Sequence, residues 1–333
     1  MRSLMSTRPS LPRRTRGRVV SPSPPAEEVL ARAETVEADE LRWIHIEKPT
    51  AADRAWLEER FSFHPLDYED VASRNQRPKV DEYDEYLFIV LHFPQYDKTV
   101  GRLNAVELDM FVGPDYVITM PNDPIQPLSY LFDRCQRKEE QRQEVMAKGS
   151  GYLLYRIVDQ CVDAAFPMLR KIGNKLERLE DDIFAGPSAS TVRDISNAKQ
   201  EIINFRKVAR PQRTALKDLE RTKRYVVGDL DIYFDDINDA SERIWDTLEN
   251  FKEVADALEQ TNEAVYSHRA NDVLLVLTSI TVIVLPLTLV ASVFGMNTGL
   301  PGEHSIEAFW VIVGLMVVLL VGMITVFRKR GWL

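Results

Sequence analysis

Two uncharged stretches near the C-terminus constrain this chain more than any other feature. Val273 to Met296 is 24 residues without Asp, Glu, Lys or Arg, and 308–327 is a further 20. A helix needs about 20 apolar residues to cross the hydrocarbon of a bilayer, so both read as transmembrane helices. The residues up to Arg269 are charge-rich. The pattern is a soluble body carrying a membrane tail. From Ile232 onward neither Pro nor Gly occurs until Pro286. A single helix over 232–294 would be roughly 90 Å long at 1.5 Å per residue, running from the body into the bilayer.

Basic residues orient the spans. His268 and Arg269 precede the first, Arg328, Lys329 and Arg330 follow the second, and the connecting loop has no Lys or Arg but carries Glu303 and Glu307. The positive-inside rule then predicts a multi-pass inner (plasma) membrane protein with both termini cytoplasmic and an acidic external loop. With 42 basic against 51 acidic residues, the net charge is -9. That balance excludes a nucleic-acid binder, which needs a basic surface to release counterions, and suits cations. Cys135 and Cys161 have no zinc-ligand spacing and read as buried free thiols. No nucleotide loop, metalloprotease motif or nucleophile elbow is present, so the chain is not expected to be an enzyme.

Ahead of the spans, residues 1–40 are basic and rich in Pro and Ser. They lack the apolar run of a secretory signal and read as a disordered tail. Residues 41–150 read as an α/β cytoplasmic domain. Trp43 to Ile46 and Tyr86 to Leu91 have strand character, Ala51 to Phe61 helical spacing, and Gly113-Pro114-Asp115 joins two strands as a hairpin. Residues 151–231 read as long antiparallel helices turning at Gly186-Pro187-Ser188. Then come the stalk and pore helix at 232–297, the external loop at 298–307, the second span at 308–327 and a basic cytoplasmic end at 328–333.

The spans differ in kind. The second is uniformly apolar, whereas the first has a stripe reached by steps of three and four: Asn271, Leu274, Thr278, Thr281, Leu285, Thr288 and Ser292. Such a seam converges on an axis when several helices assemble. Ser and Thr within membranes also bond their own helix carbonyls and serve packing, so a packing stripe and a pore lining both fit. Two spans cannot enclose a pathway alone, and a pore therefore requires several copies. A membrane-anchored signalling or scaffold protein is the competing reading, although a plain anchor has no use for one polar face.

The stretch Asn271-Asp272-Val273 to Thr278, then Leu285-Pro286-Leu287-Thr288, Phe294-Gly295-Met296-Asn297 and the terminal Arg328-Lys329-Arg330-Gly331-Trp332-Leu333 resembles the CorA family of magnesium channels. His64-Pro65-Leu66, Gln76-Arg77-Pro78-Lys79-Val80 and Gly151-Tyr152-Leu153-Leu154-Tyr155 agree with it. The resemblance implies a funnel-shaped homopentamer in membrane lipid, with an α/β domain, long helices and two transmembrane helices. Gly295, Met296 and Asn297 would form the selectivity filter, with five Asn297 amides holding the hydrated ion by neutral oxygens. Asn271 would mark the inner end, and Leu274 and Leu277 a dewetting constriction. Thr278, Thr281, Leu285, Thr288 and Ser292 would line the path. Glu69 and Asp70 of one subunit would face Asp236 and Asp239 of the next as a regulatory Mg²⁺ site, unless they are a solvated acidic face. Mg²⁺ is thus the implied transported and regulatory ion, with Co²⁺ or Ni²⁺ also carried and no other cofactor. The loop Thr298 to His304, with Glu303, departs toward the Gly-Pro-Gly loops of the zinc-transporting ZntB-like branch, which keeps Zn²⁺ open. Against zinc, the seam has no Cys or His.

Overall fold

The computed structural model of the chain describes residues 32–73, 77–97, 102–186, 189–222, 225, 231–296 and 306–332. The tail before residue 32, Asn297 and the loop 298–305 with Glu303 lie outside the described residues.

Six strands form one sheet: β1 (Glu34–Ala38), β2 (Leu41–His45), β3 (Lys79–Glu82), β4 (Leu87–Asp97), β5 (Arg102–Val112) and β6 (Tyr116–Pro121). Their spatial order is β1-β2-β6-β5-β4-β3, antiparallel at every junction except the parallel β2–β6 pair. The expected hairpin joins β5 to β6, closed by the Gly113 N–H donating to the Tyr116 carbonyl at 2.9 Å. The first strand corrects the tail boundary drawn at residue 40. β1 pairs along its length with β2, and Val36 and Ala38 are buried. Its sequence, Glu-Thr-Val-Glu-Ala, buries only every second residue, as an edge strand can, so charge and shortness hide it among polar neighbours.

The strands alternate sides. Phe88, Val90, Phe111, Ile118 and Met120 pack under α1 (Ala51–Arg60) and α2 (Pro65–Ser73), together with Leu57 and Phe63. The opposite side, with Leu87, Ile89, Leu91, Leu108 and Met110, is covered by helices. These are α3 (Gln126–Arg137), α4 (Glu139–Met146), α5 (Ser150–Asp163), α6 (Ala165–Ala185), α7 (Ala189–Thr222) and the start of α8 (Asp231–Phe294). The helical register from Gly151 to Ile183 is broken at Ala164. Pro167 has no N–H for the Asp163 carbonyl and its ring crowds that oxygen, so the chain restarts as a second helix. α6 ends at Gly186, whose φ of 150° is a conformation side chains disfavour.

The long helix is present as expected. α8 runs 64 residues with Pro286 inside it. Its N-terminal half buries Phe234, Ile237, Ile244, Leu248, Ala255 and Leu258 in the same core as α6 and α7. Ion pairs bind its flank to α7: Lys199 to Asp256 and Glu259 at 2.7 Å each, Lys217 to Glu242 at 2.8 Å, and Arg206 and Arg213 to Glu249 and Glu242. Both arginines also lie over the Trp245 ring. α9 (Ile306–Lys329) returns beside the apolar end of α8.

Candidate ion pathway and cation-sensing residues

In its apolar half, α8 has two distinct faces. Ser279 and Ile283 are buried at 1% and 7% exposure, and both lie on the side where α9 packs, Ile283 beside Ile324 and Arg328. At 100° per residue, the seam of Asn271, Leu274, Thr278, Thr281, Leu285, Thr288 and Ser292 lies roughly opposite. Every one of those residues is exposed in the protomer, as is Leu277. The hydroxyls of Thr281 and Thr288 donate to the carbonyls of Leu277 and Val284, each at 2.9 Å. That satisfies the hydroxyl hydrogen inside the helix. The oxygen's lone pairs remain directed outward, toward whatever the seam faces.

The helix stops at Phe294, where the Gly295-Met296-Asn297 motif begins. Gly295 is a turn residue and Met296 a bend, with the Gly295 N–H donating to the Ala291 carbonyl at 2.9 Å. Gly295 has little spare room, since a Cβ there would sit 3.0 Å from that same carbonyl. The backbone therefore turns tightly immediately before Asn297.

The expected sensing residues fall in two places. Glu69 is exposed and Asp70 half-buried on α2, while Asp236 and Asp239 are exposed near the start of α8. Asp70 does not stand alone. Its Oδ2 accepts from Lys79 Nζ at 2.7 Å, and the same ammonium lies 2.5 Å from Asp81 Oδ2. Asp67, buried beneath them, accepts from the hydroxyls of Tyr83 and Tyr86 at 2.9 and 2.6 Å. Burial raises its carboxyl above the usual carboxylate range, and the two tyrosine hydrogen bonds oppose that rise. Ligand oxygens of Asp67, Asp70 and Asp81 lie within 4.8 Å of one another, the only such grouping of potential metal ligands among the described residues. Asp236 belongs to a different neighbourhood. It faces α5, where burial, Asp163 and Asp236 push the Asp159 carboxyl up to about 6 against the pull of Arg156.

Asp67, Lys79, Asp81 and Asp159 are therefore residues that sequence reading passed over. Lys79 and Asp81 alternate along one short strand, which places both on one face, but nothing local shows that α2 crosses above them. A further carboxylate, Asp109 on β5, shares that face, because Lys79, Val90 and Asp109 are in register across three strands. Asp109 is 2% exposed and its Oδ1 has no hydrogen-bond partner among the described residues. Burial holds it well above the carboxylate range, helped by Glu107 and Asp70 and opposed by Lys79.

A family model described as CorA-like Mg²⁺ transporter protein matches residues 38–329. The cobalt/magnesium transport protein CorA of Thermotoga maritima is 31% identical over 302 residues, spanning 87% of this chain and 83% of that one. Among solved structures, the CorA magnesium transporter of Methanocaldococcus jannaschii superposes with a TM-score of 0.78 at 22% identity, covering 89% of this chain and 93% of its own. The ZntB cytoplasmic domain of Vibrio parahaemolyticus gives 0.58 at 16% identity, covering 70% and 90%. At such identities the structural likenesses are ones of fold.

Proposed function

This chain belongs to the CorA family of Mg²⁺ transporters, and from that membership we propose that it conducts Mg²⁺, and also Co²⁺ or Ni²⁺, through a homopentameric pore. The observation that carries this reading is the two-faced α8. Its polar seam lies opposite the α9 contact and is left uncovered in the protomer. Five seams turned inward make a lumen, and five copies of α9 make an outer wall against lipid. The seam leads from Asn271 past Leu274 and Leu277 to Gly295, Met296 and Asn297. Neutral oxygens and apolar rings along that route suit Mg²⁺, which surrenders its hydration shell reluctantly. A zinc pathway has less support, because nitrogen and sulfur ligands are missing from the seam.

The protein would lie in the inner (plasma) membrane with both termini cytoplasmic, the basic flanks at Arg269 and Arg328 to Arg330 held on that side. Glu69 and Asp70 would face Asp236 and Asp239 across the subunit boundary, where Mg²⁺ bridges like charges and stabilises the closed funnel. The test is flux into liposomes containing the purified full-length protein, with Mg²⁺, Co²⁺, Ni²⁺ and Zn²⁺ compared in parallel. Asn297→Ala is expected to abolish Mg²⁺ entry while leaving the oligomer intact. Unchanged entry would remove Asn297 from the pathway, and Zn²⁺ entering in preference to Mg²⁺ would overturn the ion assignment.

A further inference from the structure

We infer that Lys79 is an internal competitor for the cation at Asp70, and that this competition sets the Mg²⁺ concentration to which the cytoplasmic domain responds. The inference rests on the reading of Asp70 as part of a Mg²⁺-sensing site. Three acidic side chains with oxygens within 4.8 Å of one another would ordinarily repel. Here a cation already sits among them, and it is the protein's own. Lys79 Nζ is 2.7 Å from Asp70 Oδ2 and 2.5 Å from Asp81 Oδ2, and it lies over the face of Phe88 at 5.3 Å from the ring centre. Both side chains of the Asp70 pair are largely shielded, at 33% and 19% exposure, so water does not fully screen the contact.

The buried Asp109 lies on the same face of the sheet, in register with Lys79 through Val90. Its Oδ1 lacks a hydrogen-bond partner among the described residues, and its carboxyl feels both Asp70 and Lys79. A divalent ion arriving at Asp70 must therefore either displace the ammonium or bind beside it against repulsion. Asp81 works in the ion's favour. It offers the ammonium an alternative partner, so the lysine can yield Asp70 without losing its own counter-charge.

The competition makes predictions of opposite sign. Full-length protein in detergent is digested with a protease across a Mg²⁺ series, and the half-protecting concentration is read. Lys79→Met and Lys79→Gln should each lower that concentration by up to roughly thirtyfold, the worth of one unit charge against a divalent ion at about 4 Å through water. Asp81→Asn should raise it, because Lys79 is then left to Asp70 alone. In an Asp70→Asn background the Lys79→Met shift should vanish. Two substitutions of Lys79 guard against one failing to assemble, and the intact oligomer is verified for each. No shift from either Lys79 variant, or the same shift with Asp70 already replaced, overturns the competition. Should Asp70→Asn itself leave protection unchanged, the sensing reading fails first. If Asp70→Asn weakens protection while the Lys79 variants shift nothing, only the competition is lost.

Discussion

His45 shows how one buried side chain links this fold to pH. It projects from β2 to the helix-covered side of the sheet, with Nδ1 3.0 Å from the Thr119 hydroxyl and its ring 4.9 Å from that of Phe132. Nε2 has no hydrogen-bond partner among the described residues. Burial lowers the pKa from 6.5 to about 4, and the Asp133 charge only partly offsets this. Between pH 6.5 and 4 the unfolded chain therefore binds more protons than the folded one. Stability from the neutral ring is complete above pH 6.5 and is lost on acidification, by about 3 kcal/mol in full. Asp159 acts with the opposite sign, since its raised pKa makes stability fall as pH rises toward 6. Thermal melts of the detergent-solubilised protein at pH 7 and pH 5 separate the two. His45→Asn should lose less stability on acidification than the parent, and equal losses would exonerate His45. Neither Thr119 nor Phe132 is a sequence neighbour of His45, so nothing local foretold its burial.

Among the elements, helices were more legible than strands. Ala51 to Phe61 reads as a helix from its spacing, and its start is set by a reciprocal cap: the Thr50 hydroxyl accepts from the Asp53 N–H while Asp53 accepts from the Thr50 N–H at 2.8 Å. A ten-residue helix is too short to be stable in isolation. It depends on this cap and on Leu57, which is 1% exposed against the sheet. Thr50→Ala should cost about 1 kcal/mol, measured as a lower melting temperature of the full-length protein with the oligomer retained. An unchanged melt would mean that packing alone holds α1. β1 was misread as tail because an edge strand needs only one apolar face and carries charge on the other. The break between α5 and α6 was missed for a different reason: the apolar periodicity runs through it, and only Pro167 marks the interruption.

At the scale of the molecule, the sheet domain, the helical bundle and the membrane pair are joined by α8, whose 64 residues run from Asp231, five residues before Asp236, to Phe294 at the edge of Gly295-Met296-Asn297. A charge at one end can thus bias the other through a single rigid element, provided that assembly gives it two positions. If Asp236 contributes to sensing, Asp236→Ala should weaken Mg²⁺ protection against proteolysis several-fold, with the oligomer unchanged. Equal protection in variant and parent would remove Asp236 from the site. The sequence by itself determined the two spans, the long helix and the polar seam, because hydrocarbon selects for length, lack of charge and periodicity, all local properties of the chain. Only the tertiary structure decided that the seam lies opposite α9, that β1 completes the sheet, and that Lys79 holds Asp70. Those facts depend on which distant residues meet in space, and the energy of a buried charge is set by the groups folded around it.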